Sequence, residues 1–250
     1  MTVMARPLRL GLAETKLLFR GKITLFSALV APVGLCVLSW FSDRDNPPER
    51  WGPLLGSRFV LLLLLSVFMT SMMVFTGRRQ SLVLKRLRTS ELSDAGVIAG
   101  ITAPMVVLGL GQLLLYFGFC VAIGAPMPEN PLLVLLGVVL GVFTALAAGM
   151  ATAALSKSVE ATHITSFPVV ILVMTGLFLQ DVANEAVALG ASVMPLIGAG
   201  DLVVKGWSGA AAGAAFDQLP GVSLGLASTA LWAVVFGLVI AGFFRWEPRP

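Results

Sequence analysis

The chain has 250 residues, 57% of them hydrophobic and 12% charged, with a net charge of +4. That charged share is about half of what a soluble domain carries. Apolar runs of about eighteen or more residues recur, which excludes a soluble globular protein and implies an all-α polytopic membrane protein; the alternating segments of a membrane β-barrel are absent, and the basic excess is divided among loops, so it is no nucleic-acid signal.

Residues 1–22 carry Arg6, Arg9, Lys16, Arg20 and Lys22. Arg9, Lys16 and Arg20 fall on one helical face, and Leu8, Leu12, Thr15 and Phe19 on another. The pattern predicts an amphipathic helix in the headgroup layer, its cations reaching for phosphates. The alternative, a basic signal-peptide n-region, lacks the small-residue cleavage site that should follow. The first span is 23–41, with Pro32 and Gly34 expected to kink it. Residues 42–57 read as a polar, Pro-rich loop, and the second span as 58–75, with Ser66, Thr70 and Ser71 near its middle. A charged segment, 76–94, precedes a long third span, 95–124, which is interrupted by Pro104 and Gln112 and expected to tilt or to begin outside the hydrocarbon. After a tight turn at 126–131, the fourth span covers 132–155. Gly137, Gly141, Ala145 and Gly149 recur along it every four residues, a stripe that lets another helix come close. The fifth span is 164–179. Residues 180–220 are too mixed for a span and predict one or two short amphipathic or re-entrant helices, broken at Pro195 and Gly206. The last span, 222–244, continues a second stripe: Gly221, Gly225, Thr229, Ala233, Gly237 and Ala241. Cys36 and Cys120 fall within apolar runs and read as buried thiols, with neither disulfide nor metal spacing.

Six spans put both termini on one side. Thirteen Lys and Arg residues then lie with the termini and four opposite; of the acidic residues, five lie with the termini and eight opposite. The positive-inside rule places the termini in the cytoplasm.

The 76–94 segment, TGRRQSLVLKRLRTSELSD, is the densest run of charge, with Arg78, Arg79, Lys85, Arg86 and Arg88. It must lie outside the hydrocarbon, where a charge costs roughly 2.5–3.5 kcal/mol. Val83 and Leu84 share a helical face with Leu87, so a short basic amphipathic helix is expected, stopping at Thr89 and Ser90. Ser93 can cap the following helix, with Asp94 at its positive end. On charge alone the loop need do no more than set orientation.

The order of residues says more. Val83-Leu84-Lys85-Arg86-Leu87-Arg88-Thr89, closing on Glu91-Leu92-Ser93, resembles the cytoplasmic loop of ABC-2 type transport permeases, in which Gly-x-Leu-Lys-Arg-Leu-Arg-x-x-Pro-Leu-Ser follows the second span. Here Gly77-Arg78-Arg79-Gln80-Ser81 replaces the usual acidic lead-in, and Glu91 stands for the proline. The N-terminal amphipathic helix, the six spans and the short re-entrant helices before the last span fit the same family, the type V or drug-exporter-like permeases. The resemblance implies a single transmembrane domain over 1–250, with 76–94 as coupling loop and 180–220 as outer re-entrant segment. It implies that Val83, Leu84, Lys85, Arg86, Leu87, Arg88, Glu91 and Leu92 contact a separate ABC ATPase subunit, which carries ATP and Mg while this chain binds no cofactor. It further implies a second permease chain (a homodimer, or a heterodimer), the bacterial cytoplasmic membrane, and export of a hydrophobic drug-like or lipid-like compound.

Catalytic patterns are missing. Gly21-Lys22 is followed by Ile23 and has no glycine five residues before it, so no phosphate loop exists. His163, the single histidine, reads as a boundary residue rather than a ligand, and zinc-protease clusters are absent. Ser66, Ser71 and Ser166 lack a Gly-x-Ser-x-Gly setting. No acidic residue lies within the six predicted spans, which argues against a proton- or sodium-driven carrier. Gln112 reads as interhelical glue or as substrate contact. Phe68, Met69, Met72 and Met73 form an adaptable apolar patch. Of these, Phe68, Met69 and Met72, with Gln112 and, on the fifth span, Phe167, Met174 and Phe178, make a candidate substrate path, or ordinary packing. The reading from another class is a non-transporting membrane anchor or sensor subunit; an intramembrane enzyme is a third, against which the missing catalytic clusters count.

Overall fold

The structure is a computed structural model that describes residues 11–12, 15–16, 22–84, 93–180, 182, 184–208 and 219–247. Regular structure among these residues is entirely helical: α1 Lys22–Ser42, α2 Pro48–Gln80, α3 Asp94–Ala122, α4 Pro131–Leu155, α5 Val159–Leu179, α6 Glu185–Ser192, α7 Ile197–Ser208 and α8 Leu219–Phe243. Five of them, α2, α3, α4, α5 and α8, are long and apolar enough to cross a membrane. α1, at 21 residues, has the length for a sixth crossing. Most of the expected N-terminal interfacial helix lies outside the described residues. Gly11, Leu12, Thr15 and Lys16 are helical, and a β-carbon placed on Gly11 would lie 3.0 Å from that of Ala103 on α3.

Helix starts follow local chemistry. Ser93 accepts from Gly96 N at 3.2 Å with Asp94 in the first turn of α3, as the sequence suggests. Asn130 caps α4 through Leu133 N (3.1 Å), ahead of Pro131. Ser158 caps α5 through Ala161 N (3.2 Å), so α5 begins at Val159 rather than at 164, and His163 lies exposed on its flank.

α2 departs most from expectation. Much of the supposed loop 42–57 is helix, because Pro48 at the first helical position is already set for it. Trp51, Leu55, Phe59 and Leu63, four residues apart, give the added turns a fully buried face. Beyond Leu63 burial continues without a break at Leu64, Val67, Phe68, Ser71 and Met72. A π-turn at Leu63–Phe68 lies within this buried stretch.

The segment before α8 holds a bent pair of short helices, the shape of a broken span or of a re-entrant loop. α6 and α7 meet at 106° through the turn 193–196, where buried Leu196 takes the left-handed conformation (φ 67°). Trp232 of α8 donates its Nε1 to the Val193 carbonyl at 2.7 Å and holds that turn. α7 then runs back antiparallel to the start of α4. It is packed by glycines: a β-carbon on Gly137 would lie 3.0 Å from the Ala199 carbonyl oxygen, one on Gly56 3.1 Å from that of Gly200, and one on Gly225 2.8 Å from that of Gly198. Gly206, expected to break a helix, is instead inside α7. It lets α7 touch the start of α4, where Asn130 N donates to the Gly206 carbonyl at 2.8 Å.

The α4 stripe is therefore shared. Its first glycines face α7, and Gly149 faces α2, where an added β-carbon would lie 2.6 Å from Ser71 Cβ and 2.7 Å from the Phe68 carbonyl oxygen. The α8 stripe is half used: Gly221, Gly225 and Thr229 face inward, whereas Ala233, Gly237 and Ala241 are exposed. Gly149→Val should destabilise the protein by roughly 1–3 kcal/mol through overpacking, while Gly237→Ala, with nothing within 4 Å, should be neutral. Thermal unfolding in detergent separates the two, and equal melting temperatures for both variants would contradict this packing.

Candidate functional site

The sequence points to the loop after α2, and the structure shows how that loop is rooted. α2 ends at Gln80. Ser81 N donates to the Gly77 carbonyl (3.0 Å) and Leu82 N to that of Arg79 (3.1 Å). Leu82 exits in the left-handed conformation, φ 59°, where helices ordinarily use glycine. Of the proposed contact residues, Val83 is half-buried and Leu84 is buried against the core. Lys85, Arg86, Leu87, Arg88, Glu91 and Leu92 lie outside the described residues.

Arg79 was grouped by sequence with the cations of the loop. The structure places it inside, 1% exposed. Its Nη1 donates to the Ala153 carbonyl at 2.9 Å and its Nη2 to the Ser156 carbonyl, at the carboxyl end of α4. Charge counting hides this residue. The helical register reveals it, since Arg79 follows buried Met72 by seven residues and shares its face.

The candidate path residues do not converge within the chain. Phe68 and Met72 are fully buried among core side chains, and Met69 and Met174 pack at its edge. Gln112 is buried on α3 and accepts a hydrogen bond from Ser66 Oγ, in the π-turn of α2. Phe167 and Phe178 are 56% and 78% exposed on the outer face of α5. The exposed residues Leu65 and Met73 give α2 a similar free face.

Sequence reasoning did not single out a cleft of about 380 Å³ between the start of α2, the end of α5, and α7. Pro53, Leu54, Leu177 and Val204 supply its apolar walls; Ser57, Arg58, Gln180 and Asp201 supply polar groups. Gln180 Nε2 donates to Asp201 Oδ1 at 2.7 Å, which fixes that carboxylate against the wall.

The interior polar pairs join helices. Ser39 and Tyr116 lie 2.9 Å apart between α1 and α3, and Ser66 with Gln112 does the same between α2 and α3. A double-mutant cycle of Ser66→Ala and Gln112→Leu should give a coupling energy of about 0.6–1.7 kcal/mol in unfolding measurements. A value near zero would contradict the role of this pair in holding α3 to α2.

A family model described as "ABC-2 family transporter protein" matches residues 39–244. No curated protein and no solved structure matches the chain. The match runs from the end of α1 past the end of α8, over α2 to α8 and the charged loop between α2 and α3, and on that ground the chain belongs to the ABC-2 transporter family, as a multi-pass membrane permease.

Proposed function

We propose that this chain is the permease half of an ATP-driven exporter. It sits in the bacterial cytoplasmic membrane with both termini in the cytoplasm. A separate ATPase subunit, carrying ATP and Mg, docks on residues 83–92, and a second permease chain completes the path. The observation that carries this reading is the family match across the helical body. Its support at the loop is that a basic, leucine-bearing segment leaves α2 from a buried root at Arg79 and Leu84. Permeases of this kind need no ionisable group at mid-membrane, because the energy enters from the ATPase.

The substrate is a hydrophobic or lipid-like compound. Support comes from the apolar, methionine- and phenylalanine-bearing faces that α2 and α5 leave exposed: Leu65, Met73, Phe167 and Phe178. Two such faces, one from each permease, enclose a path that a single protomer does not. The cleft around Arg58 and Asp201 lies at the end where the re-entrant pair stands, the outer end in this orientation.

Copurification of an ATPase whose hydrolysis depends on this chain tests the class; an anchor or sensor subunit would leave hydrolysis unchanged. Leu87→Asp should insert normally yet lower coupled transport by about tenfold or more, and normal transport by that variant would remove 83–92 as the contact. Cysteines placed at Glu185 and Asp217 should both react with an impermeant thiol reagent from outside the cell. Reaction of one from outside and the other only from inside would make 180–220 a full crossing.

A further inference from the structure

The last turn of α2 holds more than its own loop. Ala153 and Ser156, whose carbonyls receive Arg79, belong to the final turn and the cap of α4. A cation there meets the negative end of the helix, and a planar guanidinium can reach two carbonyls at once, which an ammonium cannot do in the same geometry. The next residue, Gln80, accepts through Oε1 from Val159 N at 3.3 Å, the first residue of α5. One turn earlier, a β-carbon on Gly77 would lie 3.8 Å from Val159 Cγ2. Three residues of α2 thus grip the turn between α4 and α5.

α4 needs little help from this grip, because Gly149 and Ser71 already seat it on α2; Ser71 Oγ donates to the Leu146 carbonyl at 3.1 Å. α5 is different. Only 22% of its apolar stretch is buried, against 67% for α2 and 56% for α4. At its far end it touches the re-entrant turn, where a β-carbon on Gly176 would lie 2.6 Å from Ile197. Between these points it presents Ile164, Phe167, Ile171 and Phe178 outward. A loosely packed helix is positioned mainly by what holds its foot.

We propose that Arg79, with Gln80, is the positioning element that carries movement of the 83–92 loop to the foot of α5. The last turn of α2 and the 156–159 turn travel as one body through the transport cycle, and α5 with its exposed aromatic face follows. This rests on the reading of 83–92 as the ATPase contact. The hydrogen bonds run from side chains to main-chain atoms, so a rotation of the last turn of α2 draws the 156–159 turn with it. Pulling the two apart would strand a buried guanidinium from its carbonyl partners, so the joint is kept in every state of the cycle.

The test uses the full chain with Cys36 and Cys120 replaced by Ala, reconstituted in nanodiscs with its ATPase. Bound ATPase and ATP hydrolysis stimulated by the chain are measured for four forms: the parent, Arg79→Met, the bridged pair Gly77→Cys/Val159→Cys, and the bridge combined with Arg79→Met. Arg79→Met should bind the ATPase as the parent does while stimulation falls by about tenfold. The bridge should leave stimulation unchanged in the parent and restore it in Arg79→Met, which a merely structural loss of folded protein would not show. Full stimulation in unbridged Arg79→Met, or loss of stimulation on bridging the parent, overturns the proposal. If Arg79→Met fails to fold, the bridged parent alone decides between one body and two. A parent chain that binds no ATPase sinks the reading of the loop itself, an outcome distinct from failure of the clamp.

Discussion

Close approach of helix backbones is the constraint on which this structure depends. In a bilayer the solvent is as apolar as leucine, so burying leucine between helices gains little, and association relies on contact and on hydrogen bonds. Gly137, Gly141 and Gly149 on α4 bring carbonyl groups and small side chains of α7 and α2 within van der Waals reach. The same device admits α7, a helix too short to cross, into the body of the protein. α7 buries Ile197, Ala199, Leu202 and Val203 completely, and its backbone is served by its own ladder and by the contact at Asn130. Irregular backbone at membrane depth is tolerated only under such cover. The turn 193–196 has it from Trp232, whose indole N–H satisfies a carbonyl there.

Around this body the remaining helices divide by how they are held. α1 and α3 are tied to each other by Ser39 and Tyr116, and α3 to α2 by Gln112 and Ser66. The Ser66 contact occurs within the π-turn. The π-turn lies within a continuously buried face of α2, in which Phe68, Met72 and Arg79 face inward.

Much of this was legible in the residues. The all-helical membrane class, the α4 stripe and the short, broken helices before α8 followed from composition and spacing, and the family from the resemblance carried by residues 83–93. What escaped did so for identifiable reasons. Pro47 and Pro48 look like loop residues, yet a proline at a helix start is a beginning. Gly206 looks like a breaker, yet its role is to let α4 come near. Half of the α8 stripe faces outward because spacing shows that small residues share a face and cannot say which neighbour covers it. Arg79 was taken for surface because a positive charge beside a span is ordinarily topological; only its register with Met72 speaks for burial. Phe68 and Met72 were grouped with Phe167 and Phe178 by residue type, which is blind to direction, and the structure sends the first pair into the core and the second outward.

The two ends of the protein are held by different sets of contacts, and the difference bears on how each can move. At the end carrying the bent pair, glycine contacts act alongside separate hydrogen bonds, from Trp232 to Val193, from Asn130 to Gly206 and from Gln180 to Asp201. At the end carrying the charged loop, α2 meets α4 and α5 through directional bonds from Arg79 and Gln80. A helix carboxyl terminus leaves carbonyls without intrahelical partners, and a guanidinium withdrawn from water needs acceptors; each requirement is met by the other. Removing one side of such an arrangement costs about 3–5 kcal/mol. The joint beside the loop, where a buried cation would be stranded, is therefore costly to open, which is the arrangement a lever needs if force enters at 83–92.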